Sequence, residues 1–343
     1  MALNQNKRIF WATEAVGFAE DGTLAFTPAH GVQSLGITTT FNLTQVYELG
    51  QISIYENLED LPDVEVTLEK AIDGYPLLYH LATPNAASPT LAGRSNDRCI
   101  LGVSIYGDVQ NSASGVPTAQ MTCSGMYISS LAYNFPVDNF FTESVTLVGN
   151  NKVWASGTPY TFSGGFLNND APPSGIQRRQ HFEWGNHANS SHLPGGVGGI
   201  PGLSSSGYNS LNAAGAYNAT IQGISVSTDL GREALLELGS RNPFFRYATF
   251  PVEVTCDIEV LTKDGDFIAA TEAGVAGNGN NLVDKEIVIA IDTGLRLDLG
   301  TKNKLSSVSY GGADAGGGNA TCTYSYTTFN DLTVTDPTDP AGF

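Results

Sequence analysis

The residues of this chain best suited to chemistry are three histidines, a few paired acids, one glycine run and one basic pair. His181, His187 and His192, with Glu183 among them, are of the types that hold zinc. Their spacings of six and five residues fit no compact ligand motif, and they lie in a polar stretch, so they read as surface histidines. Glu59 with Asp60, and Asp63 with Glu65, offer the carboxylate pair of a hydrolase. Nothing gathers them into a pocket, and neighbours along a strand face opposite sides, so solvated charge is the simpler reading. Gly311 to Gly318 (GGADAGGG) has the glycines of a phosphate cradle but lacks its Lys-Ser/Thr ending, and reads as a hairpin tip. Arg178 and Arg179, in QRRQH, suit either an exposed loop or a contact with a neighbouring subunit. No catalytic motif emerges, so the expectation is a non-enzyme without cofactor or metal.

The bulk composition points the same way. The chain has 343 residues, 34 acidic against 16 basic, for a net charge of −18. A surface that grips nucleic acid clusters Lys and Arg against phosphates, and this charge balance argues against one. An acidic wall would instead repel a phosphate backbone. An apolar fraction of 41% is enough to build cores, while 39 glycines and many Thr, Ser and aromatic residues favour strands joined by turns. No apolar run approaches the roughly 20 residues of a membrane span, and Met1 to Phe10 lacks the apolar core of a signal peptide. Cys99, Cys123, Cys256 and Cys322 show no close pairing and read as reduced, packed thiols.

A repeat organises the chain. From Gly36 it reads GITTTFNLTQVYELGQ and then PDVEVTLEKAIDGY; from Gly223 it reads GISVSTDLGREALLELGS and then FPVEVTCDIEVLTKDGD. Glu48-Leu49-Gly50 matches Glu237-Leu238-Gly239, Pro62 matches Pro251, and Val64 to Thr67 matches Val252 to Thr255. Asp73-Gly74 then matches Asp264-Gly265. More loosely, Ile100 to Tyr106 pairs with Ile287 to Asp292, Tyr127 to Tyr133 with Lys304 to Tyr310, and Glu143 to Val148 with Asp331 to Thr335. This predicts an N-terminal arm over 1–24, a β domain over 25–150, a Gly/Ser/Asn-rich linker over 151–214, a second β domain over 215–336 and a tail over 337–343.

Within each copy the pattern predicts an alternating strand, a short helix, a strictly alternating strand with VEVT, and two or three further strands. The helices are expected at Asn42 or Thr44 to Leu49 and at Asp229 to Leu238, with Asp229 as N-cap and Gly50 and Gly239 as stops. Val46, Tyr47 and Leu49, and Leu235, Leu236 and Leu238, would then cover their own sheets. Val64, Val66, Val252 and Val254 would face the core beside Pro62 and Pro251. The expected fold is mainly β: two repeated β-sandwich or half-barrel domains, each with a short helix.

The blocks TFNLTQVYELGQISIYENLEDLPDVEVTLEKAIDGY and ISVSTDLGREALLELGSRNPFFRYATFPVEVTCDIEVLTKDGD resemble the core of tail tube proteins from tailed bacteriophages, in a duplicated form. The resemblance covers both repeats, and it implies sheets that join edge to edge between subunits into a tube. It implies trimeric rings with pseudo-sixfold symmetry, stacked in a virion tail assembled in the host cytoplasm. Packaged DNA would pass through without specific binding. Partners would be further copies of the chain and tail proteins such as a sheath, a terminator or a baseplate initiator. The repeat residues above would form core and subunit contacts, and Arg178 and Arg179 an inter-ring or loop contact.

Two other classes compete. A tandem carbohydrate-binding or virion-surface module would use Tyr106, Tyr127, Tyr133 or Trp184 to stack on sugars, though strand packing explains such aromatics as well. A glycosidase would need two carboxylates facing one cleft, and no such pair can be argued from the sequence.

Overall fold

The structure is a computed structural model, and it describes residues 13–107, 116–156, 160–162, 172–183, 191, 193, 219–240, 243–262, 284–312 and 318–339. The protein is mainly β. The first half contributes β1 (Thr13–Glu20), β2 (Ala25–Pro28), β3 (Val32–Thr40), β4 (Leu43–Tyr47), β5 (Ile54–Glu59) and β6 (Asp63–Ala71). Two one-turn helices follow, α1 (Leu78–Leu81) and α2 (Leu91–Arg94), and then β7 (Cys99–Tyr106), β8 (Ala119–Pro136), β9 (Thr142–Gly149), β10 (Val153–Ser156) and β11 (Thr161–Phe162). The second half holds β12 (Ala219–Asp229), β13 (Arg232–Leu235), β14 (Phe245–Ala248), β15 (Glu253–Thr262), β16 (Val288–Ala290) and β17 (Arg296–Asp298). It ends with β18 (Lys304–Gly311), β19 (Thr321–Phe329) and β20 (Thr333–Thr335).

The long strand β8 organises the sheet. Its first part pairs β7 and β10, and its second part pairs β9 on one side and β12 on the other. The result is a continuous antiparallel run in the order β3-β6-β9-β8-β12-β15-β19-β18. Each half supplies four of these strands in the same spatial order, and even the irregularities recur. A register shift falls between Val32 and Ser34 in β3 and between Ile221 and Gly223 in β12. Another falls between Ile128 and Ser130 in β8 and between Leu305 and Ser307 in β18. Bulges are specific features of a strand pair, and these fall at matching places in the two halves.

Alternation explains the layers. Val64, Val66 and Leu68 of β6 and Val254, Cys256, Ile258 and Val260 of β15 are buried, while the residues between them turn to the other face. The buried set shares one core with Val16, Leu101 and Val103 of the β1/β7 layer and Leu297 and Val334 of the β16-β17-β20 sheet. The four cysteines are free and packed in this interior, where burial raises the thiol pKa of Cys99, Cys123 and Cys256.

Several expectations need correction. The segments expected to be helical are β-hairpins, β4–β5 and β13–β14. Gly50 and Gly239 have φ of 89° and 91°, the left-handed backbone of a hairpin turn rather than of a helix stop. The two short helices both lie in the first half; the described residues of the second hold none. The arm over 1–24 contains β1, which pairs β7 along its whole length. The linker is stitched to the body where it is described: β10 pairs β8, and the Gln177 N–H donates to the Ile72 carbonyl. The strand matching β9 is β19, since both lie between the same neighbours, whereas Thr333–Thr335 belongs to a separate sheet. The hydrogen-bond registers set Val64 opposite Thr39 and Val254 opposite Thr228, which aligns Val64 with Val254, two residues beyond the tetrapeptide match. The Asp264-Gly265 turn lies outside the described residues.

The expected C-terminal tail is held to the body as far as it is described, to Asp339. Asp339 is buried against the Arg94 guanidinium, and Asp336 sits 3.6 Å from the His80 ring and accepts the Leu77 N–H. Nearby, the buried Glu143 carboxylate accepts the N–H groups of Leu78 and Tyr79, capping α1 from a distant strand, and the Tyr133 hydroxyl. These acids and cations tie Asp336 and Asp339 to the first half of the chain.

Candidate functional site: an acidic sheet face with two bare edges

The open face of the eight-strand run carries a carpet of hydroxyls and carboxylates. One row crosses the sheet as Ser34, Glu69, Ser144, Ala132, Ser227, Thr255 and Thr327. Glu65, Glu253, Asp257 and Glu259 project from the same face. Among the described strand residues the face bears one cation, Lys304, which closes the row opposite Thr327 and lies 3.3 Å from Asp284. Such a face gives a phosphate backbone nothing to hold.

The edges are the second feature. Between the halves, β8 and β12 pair over seven positions, among them Ser130↔Asp229, Ala132↔Ser227 and Asn134↔Ser225. The outer strands are the counterparts of these two: β3 corresponds to β12, and β18 to the second part of β8. Yet among the described residues β3 pairs only β6, and β18 only β19. Among the described residues no strand pairs the outer side of either edge, and a sheet protein ordinarily blunts or covers such an edge. The strand directions alternate along the whole run, so β18 of one chain would meet β3 of the next antiparallel, as β8 meets β12.

The third feature is at one end of the sheet. The hairpins β4–β5 and β13–β14 follow β3 and β12 and leave from the same end, beside Asp63 and Asp229. Their tips are apolar and bare: Leu49 and Ile52 are 102% exposed and Leu238 is 105% exposed, with Tyr47, Leu235 and Leu236 also exposed. Val46 is half-buried. The repeat residues thus divide, with Val64, Val66, Val252 and Val254 in the core and the tip residues in solvent. At the base of the second hairpin, Arg246 lies 2.6 Å from Asp63 and donates to Asn150, joining the two halves again. Burial would raise the Asp63 pKa, but the hydrogen bonds from Asn42, Arg246 and Asn150 hold it below the usual carboxylate range. Arg232 donates from Nε to the Ile128 carbonyl and lies over the Tyr127 ring; burial lowers its pKa to about 10.

The residues singled out for chemistry do not converge. Glu59 and Asp60 lie at the foot of the first hairpin, Asp63 is tied to Arg246, and Glu65 stands on the open face. His181 ends a single 3-10 turn; His187, His192, Trp184 and most of the glycine run at 311–318 lie outside the described residues. Among the described residues no group of three His, Cys, Asp or Glu side chains could hold a metal ion. Tyr106, Tyr127 and Tyr133 are buried. Arg178 and Arg179 are exposed at the end of the sheet opposite the hairpins. Among the described residues no helix is long and apolar enough to cross a membrane. No protein family matches the chain, and no curated protein is similar to it.

Proposed function

We propose that this chain is a structural virion protein of a tailed bacteriophage, forming the tail tube as stacked homo-oligomeric rings around an acidic lumen. The observation that carries the reading is the seam between the halves, whose two strands recur unpaired at the outer edges. A head-to-tail contact between chains closes into a ring when the rotation suits, and backbone pairing makes such a contact largely independent of side chains. The repeat turns three chains into six near-equivalent units, the pseudo-sixfold ring that the resemblance implies. The polar face with its carboxylates would line the bore, and DNA would pass without trapping. Sheath, terminator and initiator proteins would bind the outside and the ends.

The test is light scattering on a sizing column together with negative-stain electron microscopy of the purified chain. Rings or hollow tubes with threefold or pseudo-sixfold end views are expected. A chain that stays monomeric when concentrated and binds a glycan on an array would overturn the reading in favour of a binding module.

A further inference from the structure

Among the short stretches that the two halves share, Glu-Leu-Gly stands at the hairpin tip of each, at Glu48 to Gly50 and Glu237 to Gly239. The glycines share one backbone conformation, and both leucines are as exposed as a side chain can be. A core role would explain retained leucines only if they were buried. A contact outside the chain explains them as they stand.

The opposite end of the sheet offers the complement. Where β8 ends and β12 begins, Phe135, Phe141, Ile221 and Ile224 wall an apolar cavity of about 200 Å³ whose rim includes Arg179. That is small for a free ligand and of a size to take one branched aliphatic side chain. Arg178 and Arg179 line the adjoining cleft together with Asp138. Neither guanidinium has an ion-pair partner among the described residues, in a chain of net charge −18. Asp138 offsets one of the two positive charges and leaves the other.

From the chemistry of these two ends we infer that the cavity beside Arg179 is the socket for a Glu-Leu-Gly hairpin tip of a second copy, stacked along the tube axis. This rests on the tube reading and adds the residues of the axial contact. The leucine fills the apolar cavity, and the glutamate reaches the arginine pair at its rim. A tip cannot reach its own socket, because the nine residues of β6 hold the two ends roughly 30 Å apart. In a closed ring every tip would stand on one rim and every socket on the other. The contact is therefore open-ended, and it adds ring upon ring.

Charge reversal tests this. The wild type, Glu48→Arg with Glu237→Arg, Arg178→Glu with Arg179→Glu, and the fourfold combination are compared by sedimentation velocity and negative-stain microscopy. Each one-sided variant should keep its rings while raising the concentration needed for tubes by about tenfold or more, and the combination should recover most of that loss. Tubes forming at the wild-type concentration in both one-sided variants would overturn the socket while leaving the ring intact. A combination no better than either side would overturn the pairing of these charges. Wild-type chains that form no rings would overturn the tube reading and the socket with it. If a reversal disturbs folding, Leu49→Ser with Leu238→Ser probes the same contact from exposed positions and should also leave rings without tubes.

Discussion

The seam at β8·β12 and the bare edges at β3 and β18 are one pair of strands met twice, once joined and once apart. Both strand pairs carry bulges at matching places, but the seam strands bury Leu131, Tyr133, Ile224 and Val226, whereas β3 and β18 have only half-buried or exposed side chains. Among the described residues the seam strands have a partner on each side and the outer strands on one side alone. The seam is also locked from a distance, through Arg94 with Asp339 and His80 with Asp336, whereas no such tie spans the edges. The halves are thus joined both along the seam and through these ion pairs.

The largest effect should come from breaking the lock. Asp339→Ala leaves the buried Arg94 charge uncompensated and should cost about 3–5 kcal/mol, read as a fall in the denaturant midpoint. Proline comes next, and here the two strand pairs should part company. Ser227→Pro, in a strand paired on both sides, should cost roughly 3 kcal/mol in thermal or urea unfolding. A proline at whichever of Val308 and Ser309 turns its N–H away from β19 should cost under about 1 kcal/mol and abolish assembly on a sizing column. Equal destabilisation by both prolines would break the comparison.

A smaller effect concerns pH. Burial would raise the Asp336 pKa, but the His80 ring and the Thr338 N–H and hydroxyl outweigh it and hold the carboxyl below its usual range. The folded state therefore binds this proton less tightly than the unfolded chain. Its contribution is present above the ordinary aspartate value of about 4 and is lost as pH falls through the lowered value. Unfolding curves from pH 6 down to pH 2 should show Asp336→Asn with a shallower acid loss than the wild type. The smallest effect should come from the tips: Leu49→Ser and Leu238→Ser should change monomer stability by no more than about 0.5 kcal/mol.

Much of the sheet was legible because alternation at period two is a strong signal, as VEVTLEK and the runs at Tyr127 and Lys304 show. The hairpins were not. LTQVYELG and GREALLELG hold good helix formers and end in glycine, so local propensity points to a helix with a stop. Antiparallel pairing with Ile54–Glu59 and Phe245–Ala248 overrides that preference, and the same glycine serves the turn. The exposure of the tip leucines is beyond local pattern, since it depends on what is missing around them. The C-terminal lock was equally hidden, because Arg94 and Asp339 are 245 residues apart and neither sits in a motif. The acids of the open sheet face were legible as alternate strand positions, but their alignment in rows needed the register.

Cysteine pairs test the central claim most directly. Carried over from the seam, the repeat sets Ser309 of one chain opposite Thr38 of the next, as Ala132 stands opposite Ser227 within the chain. Opposed residues in antiparallel strands have Cα atoms about 4.5–5.5 Å apart, within disulfide range. Because Cys99, Cys123, Cys256 and Cys322 are buried, they should contribute little background. On mild oxidation, Thr38→Cys with Ser309→Cys should give chain-to-chain products ending in a closed covalent ring. The control, Ala132→Cys with Ser227→Cys, should cross-link within single chains. A control that cross-links beside a Thr38/Ser309 pair that never joins two chains would contradict edge-to-edge assembly.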